Sequence, residues 1–422
     1  MDIYLFEDDG YRKLLPLVYF RPVYDLRCGI LTLREKVEKL FPDANIYYGM
    51  REYLSDSFLE KNPHTRVNRR PENGSEIFLI NGRTLAGTGL LNAIRNLDQN
   101  TLLLRNNSIV AGRISIEHFD SIGKAIKENK VQGSDFPGLK FKELSVDTGV
   151  IDFFWQLVSH NGDEIRSDFK LLFGGRGMIR GKVSEGVHML GSENILIDEG
   201  AVVKPGAVLD AEDGPIYISK NARVLPNAII VGPTFIGENS IIKAGAKIYE
   251  NTSIGPTCKV GGEVEESIIH SFSNKQHEGF LGHAYLGSWV NIGADSNNSD
   301  LKNDYGNVKV YVDGEYVDTG SQFVGLTMGD HSKCGINSMF NTGTVVGVCC
   351  NIFGAGLPPK FVPSFSWGGA DGFETYRIEK AIEVARRVML RRKINLSPAD
   401  QKLFQKVFEL TDSERRAFEK SE

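Results

Sequence analysis

The chain has 422 residues, a mixed content of 49 lysines and arginines and 54 aspartates and glutamates, and a formal net charge of −5. Its length predicts two or three domains, and its dispersed charges indicate neither a nucleic-acid partner nor a membrane partner. It has five cysteines without metal-ligand spacing, no leader-like segment after Met1 and no apolar run of 18 residues, so we expect a protein of the reducing cytoplasm.

Residues 1–175 are predicted to form an α/β domain. Apolar strand candidates at 3–6, 46–48, 77–80 and 101–104 are interleaved with helical patterns near 33–41 and 118–127. Such alternation favours a doubly wound sheet, which binds ligands at the carboxyl ends of its strands. The first of these strand ends is the segment 6–10.

A glycine-containing loop follows this first strand. It reads Asp9-Gly10-Tyr11-Arg12-Lys13-Leu14-Leu15-Pro16-Leu17, and Arg21-Pro22 and the segment 29–36 come after it. These elements resemble the opening of the sugar-1-phosphate nucleotidyltransferases, in which the loop and its basic residues hold a nucleoside triphosphate during attack by a sugar phosphate. The resemblance implies a sugar phosphate, UTP or dTTP, and Mg²⁺. It assigns nucleotide contacts to Gly10, Arg12, Lys13, Arg21 and Arg83.

The same loop departs from the family pattern at three places. Glu7, Asp8 and Asp9 stand where the family has small residues, Val23 replaces a lysine, and Arg83 replaces a magnesium-binding aspartate. Acids beside a triphosphate predict weak nucleotide binding, or binding that needs extra metal to screen them. The pattern leaves open whether this site is rewired or has lost its chemistry.

Residues 180–368 are organised around a period of six. From Ile218 to Val260 an aliphatic residue falls on every sixth position, and a small residue follows four positions later. This period fits neither a helix nor simple strand alternation, and it is typical of a hexapeptide β-helix whose triangular coils enclose stacked aliphatics. A β-sandwich would instead place turn signals every 8 to 12 residues, without a fixed period.

The six-residue period is interrupted once and then resumes. It holds again from Met328 to Ile352, whereas the segment 262–325 keeps only Leu286 and Ile292 in phase. Insertions that break a solenoid often carry its binding site, so this segment is the predicted functional insertion.

Part of the insertion contains a lysine, a histidine, a tyrosine and an asparagine in an order typical of a known active site. The run from Phe272 to Gly287, continuing through 291–294, resembles the active-site segment of the bifunctional N-acetylglucosamine-1-phosphate uridyltransferases and glucosamine-1-phosphate acetyltransferases. The resemblance implies a left-handed parallel β-helix, acetyl-CoA as co-substrate, and a homotrimer with active grooves between subunits. It assigns the general base to His283 and sugar-phosphate contacts to Lys275, Tyr285 and Asn291. Asn303 and Tyr305 are added from a looser match.

Residues 372–422 are predicted to be helical. An apolar stripe runs from Ile378 to Met389, and Ser397-Pro398 and the segment 411–414 have the signatures of helix starts. Aromatic residues just before them, Phe361, Phe365 and Trp367, are expected to cap the open end of the β-helix.

Three functions remain compatible with these patterns. The favoured one is acetyl transfer from acetyl-CoA to glucosamine 1-phosphate, with uridylyl transfer from UTP to N-acetylglucosamine 1-phosphate. The others are a thymidylyltransferase-like enzyme whose β-helix only acts as a scaffold, and a non-catalytic regulatory protein that binds sugar nucleotides.

Overall fold

In the computed structural model, the described residues are 1–72, 76–106, 108–128, 136, 138–143 and 149–419. An N-terminal α/β domain leads into a long β-helix, and three helices end the chain. Within these ranges no helix is long and apolar enough to cross a bilayer.

A seven-stranded sheet forms the centre of the N-terminal domain. Its strands are β1 (Asp2–Phe6), β2 (Asn45–Gly49), β3 (Arg66–Val67), β4 (Glu76–Asn81), β5 (Thr101–Arg105), β6 (Ser108–Ser115) and β7 (Lys140–Glu143), in the order β3-β2-β1-β4-β6-β5-β7. The first four strands are parallel, as the predicted alternation requires. β6 runs antiparallel to both β4 and β5, so the sheet is mixed rather than wholly parallel.

Six helices accompany this sheet. They are α1 (Leu33–Leu40), α2 (Ser55–Lys61), α3 (Thr88–Arg95), α4 (Phe119–Glu128), α5 (Phe154–Ser159) and α6 (Asn161–Phe173). α1 begins with a capping box, in which Thr32 and Glu35 satisfy each other's free backbone N–H groups. The four predicted strands and two predicted helices of this domain are therefore present.

The repeat region folds into a left-handed parallel β-helix with three faces. Face A has ten strands: Met178–Ile179, Ile195–Ile197, Ile216–Ile218, Thr234–Ile236, Thr252–Ile254, Ile268–Ser271, Tyr285–Ser288, Thr327–Met328, Val345–Val346 and Phe361–Val362. Face B has six, followed by a separate pair: His188–Leu190, Val208–Asp210, Ile229–Val231, Lys247–Ile248, Glu263–Glu265 and Phe280–Gly282, then Asn297–Asn298 and Met339–Phe340.

Face C is built from two sheets joined by single bridges at Asn291. Its first six strands are Lys182–Val183, Val202–Val203, Arg223–Val224, Ile241–Ile242, Lys259–Val260 and Asn274–Lys275; its last four are Lys333–Cys334, Asn351–Ile352, Ser366–Gly369 and Gly372–Thr375. The aliphatics of the six-residue period are buried inside the prism, for example Ile218, Ile236 and Ile254 at 0% exposure. This stack is the core that the period predicted.

The predicted interruption at 262–325 is wrong for most of its length. Coils continue through Val264, Ile269, Leu281 and Leu286, all of which are buried in the prism core. The period disappears from the sequence because some turns shorten, as between Val264 and Ile269, and because polar residues enter inward positions. The segment that leaves the coils, called the excursion below, follows Ser299 and contains a hairpin of Lys309–Val312 and Glu315–Asp318.

The N-terminal domain packs along face A. α6 places Ile165 and Phe169 against Tyr217 and Phe235, which point outward from that face. Asn161 donates a hydrogen bond to the backbone oxygen of Asn251 (2.6 Å), and Ser253 donates one to that of Gly29 (2.9 Å). The interface between the two domains therefore combines apolar packing with hydrogen bonds.

Three C-terminal helices cover the junction of these two domains. They are α7 (Ile378–Leu390), α8 (Pro398–Leu410) and α9 (Asp412–Glu419), and the predicted cap residue Ser397 accepts a hydrogen bond from the backbone of Asp400. α8 reaches the N-terminal domain, where Ser57 donates to Asp400 at 2.8 Å. Of the predicted aromatic cap, Phe365 is fully buried, whereas Trp367 is 38% exposed on the last coil.

Candidate active site

A cleft of about 680 Å³ lies at the carboxyl ends of β1 and β2. Its lining combines acids and bases, including Asp8, Arg51, Arg69, Arg70 and Asp120. Its position agrees with the general rule for ligand sites in such sheets. All five residues assigned to nucleotide contacts are described, and the lining of this cleft includes none of them.

Arg83 is instead locked into a buried ion pair beside the cleft. Its Nε and Nη2 atoms each lie 2.7 Å from an oxygen of Asp8, and Asn81 also donates to that carboxylate at 2.8 Å. Burial by itself would raise the pKa of Asp8, but the hydrogen bonds and charge of Arg83 outweigh burial and lower it. The Arg83 side chain is 4% exposed, so it is not available to a triphosphate.

The close approach of Arg83 explains why residue 10 is a glycine. A Cβ atom added there would lie 2.5 Å from the guanidinium carbon of Arg83. The glycine therefore makes room for the arginine, and its backbone N–H donates to Asp8 at 3.2 Å rather than facing an open phosphate site. The segment Asp9–Leu14 is a 3₁₀ helix with Asp8 as its cap.

The other two acids of the loop are also paired. Glu7 accepts from Nη2 of Arg51 (3.0 Å) and from the backbone N–H of Val23 (2.8 Å), and Asp9 pairs with Arg12 at 2.9 Å. The negative charge that was expected to repel a triphosphate is thus neutralised by partners within the protein. Because these carboxylates already have cationic partners, they do not fit an open Mg²⁺ site.

The remaining nucleotide assignments lie apart from the cleft. Arg12 is half exposed, Lys13 lies over the ring of Phe153 at 5.0 Å, and Arg21 is buried against Asp330 of the β-helix. The basic residues that do line the cleft, Arg51, Arg69, Arg70 and Lys124, are absent from the sequence-based assignments. The three arginines could have been found from their positions just after β2 and β3.

His283 lies at a corner of the β-helix, where face B turns toward face A. Its Nδ1 is 2.8 Å from Oδ2 of Asp300, and its ring stacks on Phe323 with centroids 5.0 Å apart. Its φ of 46° is left-handed, a conformation that histidine adopts more readily than most side chains. Asp300 was not among the predicted residues, although it belongs to the polar loop that follows Asp295.

A cavity of about 400 Å³ opens beside this histidine. Trp155, Ser159 and His160 of the N-terminal domain form one wall, and Thr319 and Phe323 of the excursion form another. The His283 side chain is 20% exposed. A histidine paired with a carboxylate through Nδ1, at the edge of a cavity, has its Nε2 free to exchange a proton with a ligand.

Glu265 lies close to this pair. Ligand atoms of Glu265, His283 and Asp300 all fall within 4.8 Å of one another, so these residues could together hold a metal ion. Burial raises the pKa of Glu265, the nearby charge of Asp300 raises it further, and His283 lowers it. The arrangement therefore suits either a proton-transfer group or a divalent ion.

Lys275 occupies an unexpected place for a phosphate ligand. It pairs with Val260 in the ladder of face C and takes the inward position of its coil, with 2% exposure. Its Nζ donates to the backbone oxygen of His277 at 2.8 Å. Burial lowers its pKa to about 8. Lys275 is therefore a core residue of the prism, and within this chain it does not face a sugar-phosphate site.

Tyr285 and Asn291 do not join His283 either. Tyr285 is fully buried under the N-terminal domain, and its hydroxyl donates to the backbone oxygen of Arg27 at 3.2 Å. Asn291 bridges Asn274 and Lys333 on face C. The Tyr285 assignment does not fit this position, because interdomain packing closes its hydroxyl to a substrate.

Asn303 and Tyr305 stand on the excursion after Asp300. Tyr305 is 66% exposed, and its backbone oxygen accepts from Gln322 at 2.7 Å. Asn303 is also exposed. Both are open to solvent, and neither lines the cavity beside His283.

Comparisons with known proteins agree with this architecture. Residues 3–177 match the family described as sugar nucleotidyl transferase. The bifunctional protein GlmU of Methanococcus maripaludis is 27% identical over 264 residues, covering 62% of this chain and 54% of its own. The protein of that name from Methanocaldococcus jannaschii is 29% identical over 272 residues, covering 62% and 56%.

Two further matches cover other shares of the chain. A bifunctional sugar-1-phosphate nucleotidylyltransferase/acetyltransferase of Sulfurisphaera tokodaii is 26% identical over 166 residues, covering 39% of this chain and 40% of its own. Among solved structures, the UDP-N-acetylglucosamine acyltransferase of Francisella novicida aligns with 52% of this chain and 76% of its own, at 15% identity and a TM-score of 0.30, which is too low to bear on function.

The chain spans about half the length of the curated GlmU relatives it matches. The N-terminal match covers the sheet, its cleft and the helices that dock on face A. Residues 3–177 therefore match a sugar nucleotidyl transferase domain, and the chain is similar to proteins named GlmU over about half of their length.

Proposed function

We propose that this protein is a two-part transferase of sugar-nucleotide synthesis. Its β-helix transfers an acetyl group from acetyl-CoA to glucosamine 1-phosphate, and its N-terminal domain transfers a uridylyl group from UTP to N-acetylglucosamine 1-phosphate. The observation that carries the proposal is the His283–Asp300 pair at the edge of the 400 Å³ cavity. The match of residues 3–177 to the sugar nucleotidyl transferase family supports the N-terminal half, and the similarity to GlmU proteins supports both halves.

The acetyl transfer uses His283 as its general base. Asp300 accepts a hydrogen bond from Nδ1–H, which leaves the lone pair of Nε2 free for the substrate. The sugar amine attacks the thioester carbonyl, a C–N bond forms, and the C–S bond to coenzyme A breaks. Nε2 takes the proton that the amine loses and returns it to the departing thiolate, so the histidine ends neutral.

A homotrimer is part of this proposal. The N-terminal domain covers face A, whereas face B keeps exposed apolar residues, such as Ile229 at 40% and Met339 at 46%. Packing this face against a neighbour would bury them and form a long groove for an extended cofactor. Because Lys275 and Tyr285 are buried, the sugar phosphate needs ligands other than these two residues.

A second candidate applies to the N-terminal domain alone. The Asp8–Arg83 pair fills the place where the resemblance puts an open magnesium-binding carboxylate. This pairing favours a domain that binds a nucleotide without turning it over. In either case a phosphate in the cleft would meet Arg69 and Arg70, because Arg51 is paired with Glu7.

Both halves are tested by separate assays on the purified full-length chain. Coenzyme A release is measured with acetyl-CoA and a panel of amino-sugar phosphates, and pyrophosphate release with UTP or dTTP and a panel of sugar phosphates. We expect coenzyme A release with glucosamine 1-phosphate that falls at least a hundredfold in His283→Asn. Absence of coenzyme A release across the panel would refute the acetyl-transfer half, and absence of pyrophosphate release would favour the binding-only domain.

A further inference from the structure

A further cavity, of about 390 Å³, lies where the three parts of the chain meet. The N-terminal domain contributes Phe58 of α2, the β-helix contributes Trp289, and α8 contributes Phe404. Most of its lining is apolar, as is usual for small-molecule sites of this size. It is distinct from the cleft of the N-terminal sheet and from the cavity beside His283.

One wall of this junction cavity is a column of corner residues of the β-helix. The backbone N–H of each later member donates to the residue that precedes the member one coil before. The column consists of Asn221, Asn239, Thr257, Phe272, Trp289, His331, Cys349 and Phe365, all with positive φ, and Phe272, Trp289 and His331 line the cavity. Asparagine suits this left-handed conformation, whereas large aromatic residues rarely adopt it. Large aromatic residues nevertheless occupy this corner at Phe272 and Trp289, which line the cavity, and again at Phe365, which packs against Phe408 of α8. Strained residues of this kind concentrate at functional sites.

The aromatic rings of this column are ordered. Phe272 and Trp289 stack with centroids 4.3 Å apart and planes at 8°. Trp289 and His331 are nearly parallel at 6.0 Å, and His331 meets the ring of Phe404 at 4.9 Å. Phe272 and Trp289 cover one face of each other, so a flat ligand would pack against the ring surface that remains open to the cavity, offset or edge to face.

Two polar atoms on this cavity lack partners. Nη1 of Arg21 and Nδ1 of His331 are buried without a hydrogen-bond partner among the described residues, and both side chains line the cavity. Arg21 and His331 are 9% and 7% exposed. Buried polar atoms are almost always satisfied, so a pair of unsatisfied ones on one cavity indicates a missing ligand group.

The charges around the cavity cancel. Arg21 pairs with Asp330, Arg34 with Asp25, and Lys61 with Asp400. Burial also holds the pKa of His331 well below its usual range, so the ring is neutral. A phosphate or another strongly charged group would find no uncompensated charge here.

We propose that this junction cavity binds a flat, uncharged heteroaromatic group of the nucleobase class. The ring packs against the aromatic wall, a carbonyl oxygen or ring nitrogen accepts from Nη1 of Arg21, and a second polar edge atom pairs with Nδ1 of His331. The described lining holds no group poised for chemistry on such a ring, so the site is one of binding. Because all three parts of the chain line it, occupancy stabilises their junction. This inference does not depend on the proposed activities.

Calorimetric titration of the full-length chain with adenosine and with uridine tests the proposal, and ribose serves as the ring-free control. We expect at least one nucleoside to bind and to raise the midpoint of thermal unfolding, and ribose to do neither. Arg21→Lys keeps a cation for Asp330 but removes the Nη1 atom that would donate to the ligand. His331→Phe keeps a ring at a corner where Phe272 and Phe365 already have positive φ. Each should weaken binding about tenfold.

Arg70→Ala is the matched control, because Arg70 lines the N-terminal cleft and is exposed. Nucleoside affinity should be unchanged in this variant. The proposal fails if neither nucleoside binds at millimolar concentration, which would mean that the cavity holds only water. It also fails if Arg70→Ala abolishes binding, or if neither Arg21→Lys nor His331→Phe weakens it.

Discussion

The guanidinium of Arg83 donates a hydrogen bond of 2.7 Å to each carboxylate oxygen of Asp8. The two side chains are 4% and 5% exposed. This pair replaces the open carboxylate that the family resemblance implies. It joins the loop after β1 to the end of β4, and a third contact at 3.0 Å continues to Asp152. Its role in the described structure is to hold the domain together.

Asp8→Asn is expected to destabilise the protein by about 3–5 kcal/mol, because it leaves a buried arginine without its main partner. Asp9→Asn is the control, since the Asp9–Arg12 pair is largely exposed and contributes less than about 1 kcal/mol. Urea unfolding measures both. The pKa of Asp8 is lowered in the folded state, so its contribution is complete above the unfolded value and is lost as pH falls below about 4. Equal destabilisation by the two variants would contradict this role.

Asp300→Asn is expected to slow acetyl transfer by 10- to 100-fold, because the amide no longer selects the tautomer that leaves Nε2 free. His283→Asn should cost about 10²- to 10⁴-fold while preserving the left-handed corner. The double variant should be little slower than His283→Asn alone, since the two residues act as a unit. Steady-state kinetics of coenzyme A release measures all three, and strictly additive losses would show that Asp300 acts independently of the histidine.

Lys275→Met is expected to stabilise the protein by roughly 1–3 kcal/mol at neutral pH, because it removes an ammonium group from the prism core. The pKa of this lysine is lowered to about 8, so the unfolded state binds the extra proton between about pH 8 and 10.5 and stability rises with pH across that window. The variant should flatten this rise in thermal unfolding curves. A higher Michaelis constant for the sugar phosphate, with no gain in stability, would restore the phosphate-binding role first assigned.

Acetyl transfer is expected to survive exhaustive treatment with EDTA. His283 can act as a base only if its ring is not a metal ligand, although Glu265 and Asp300 lie close enough to complete a metal site. Coenzyme A release should be the same before and after chelation, with metal removal verified by elemental analysis. Loss of activity that Zn²⁺ restores would assign these three residues to a metal centre instead.

Light scattering is expected to show a trimer at micromolar concentration. Face B carries the exposed apolar residues that a neighbouring prism would bury, among them Ile229 and Met339, and face A is already covered by the N-terminal domain. A monomer would remove the intersubunit groove from the proposal.

Several features of this protein follow from its sequence alone. The six-residue period of Ile218 to Val260 predicts the β-helix because each aliphatic packs on its neighbours one coil away, so the core is built from a repeated local pattern. The strands of the N-terminal sheet and the starts of α8 and α9 are similarly local, since they depend on apolar runs and capping residues a few positions apart. His283 was also singled out in this way, by its place among the residues of a known segment.

The tertiary structure alone decided which of the other candidate residues face solvent. Tyr285 and Arg21 resemble ligands in sequence, yet packing of the N-terminal domain against face A buries both, and Arg21 meets a partner 309 positions away. Lys275 points into the prism, opposite Val260 in the ladder of face C. The sequence does not reveal this orientation, because turns of uneven length after Val260 break the six-residue period. The contact between His283 and Asp300 likewise joins two coils. Burial and pairing depend on surfaces brought together from distant parts of the chain, and no local pattern records which surfaces meet.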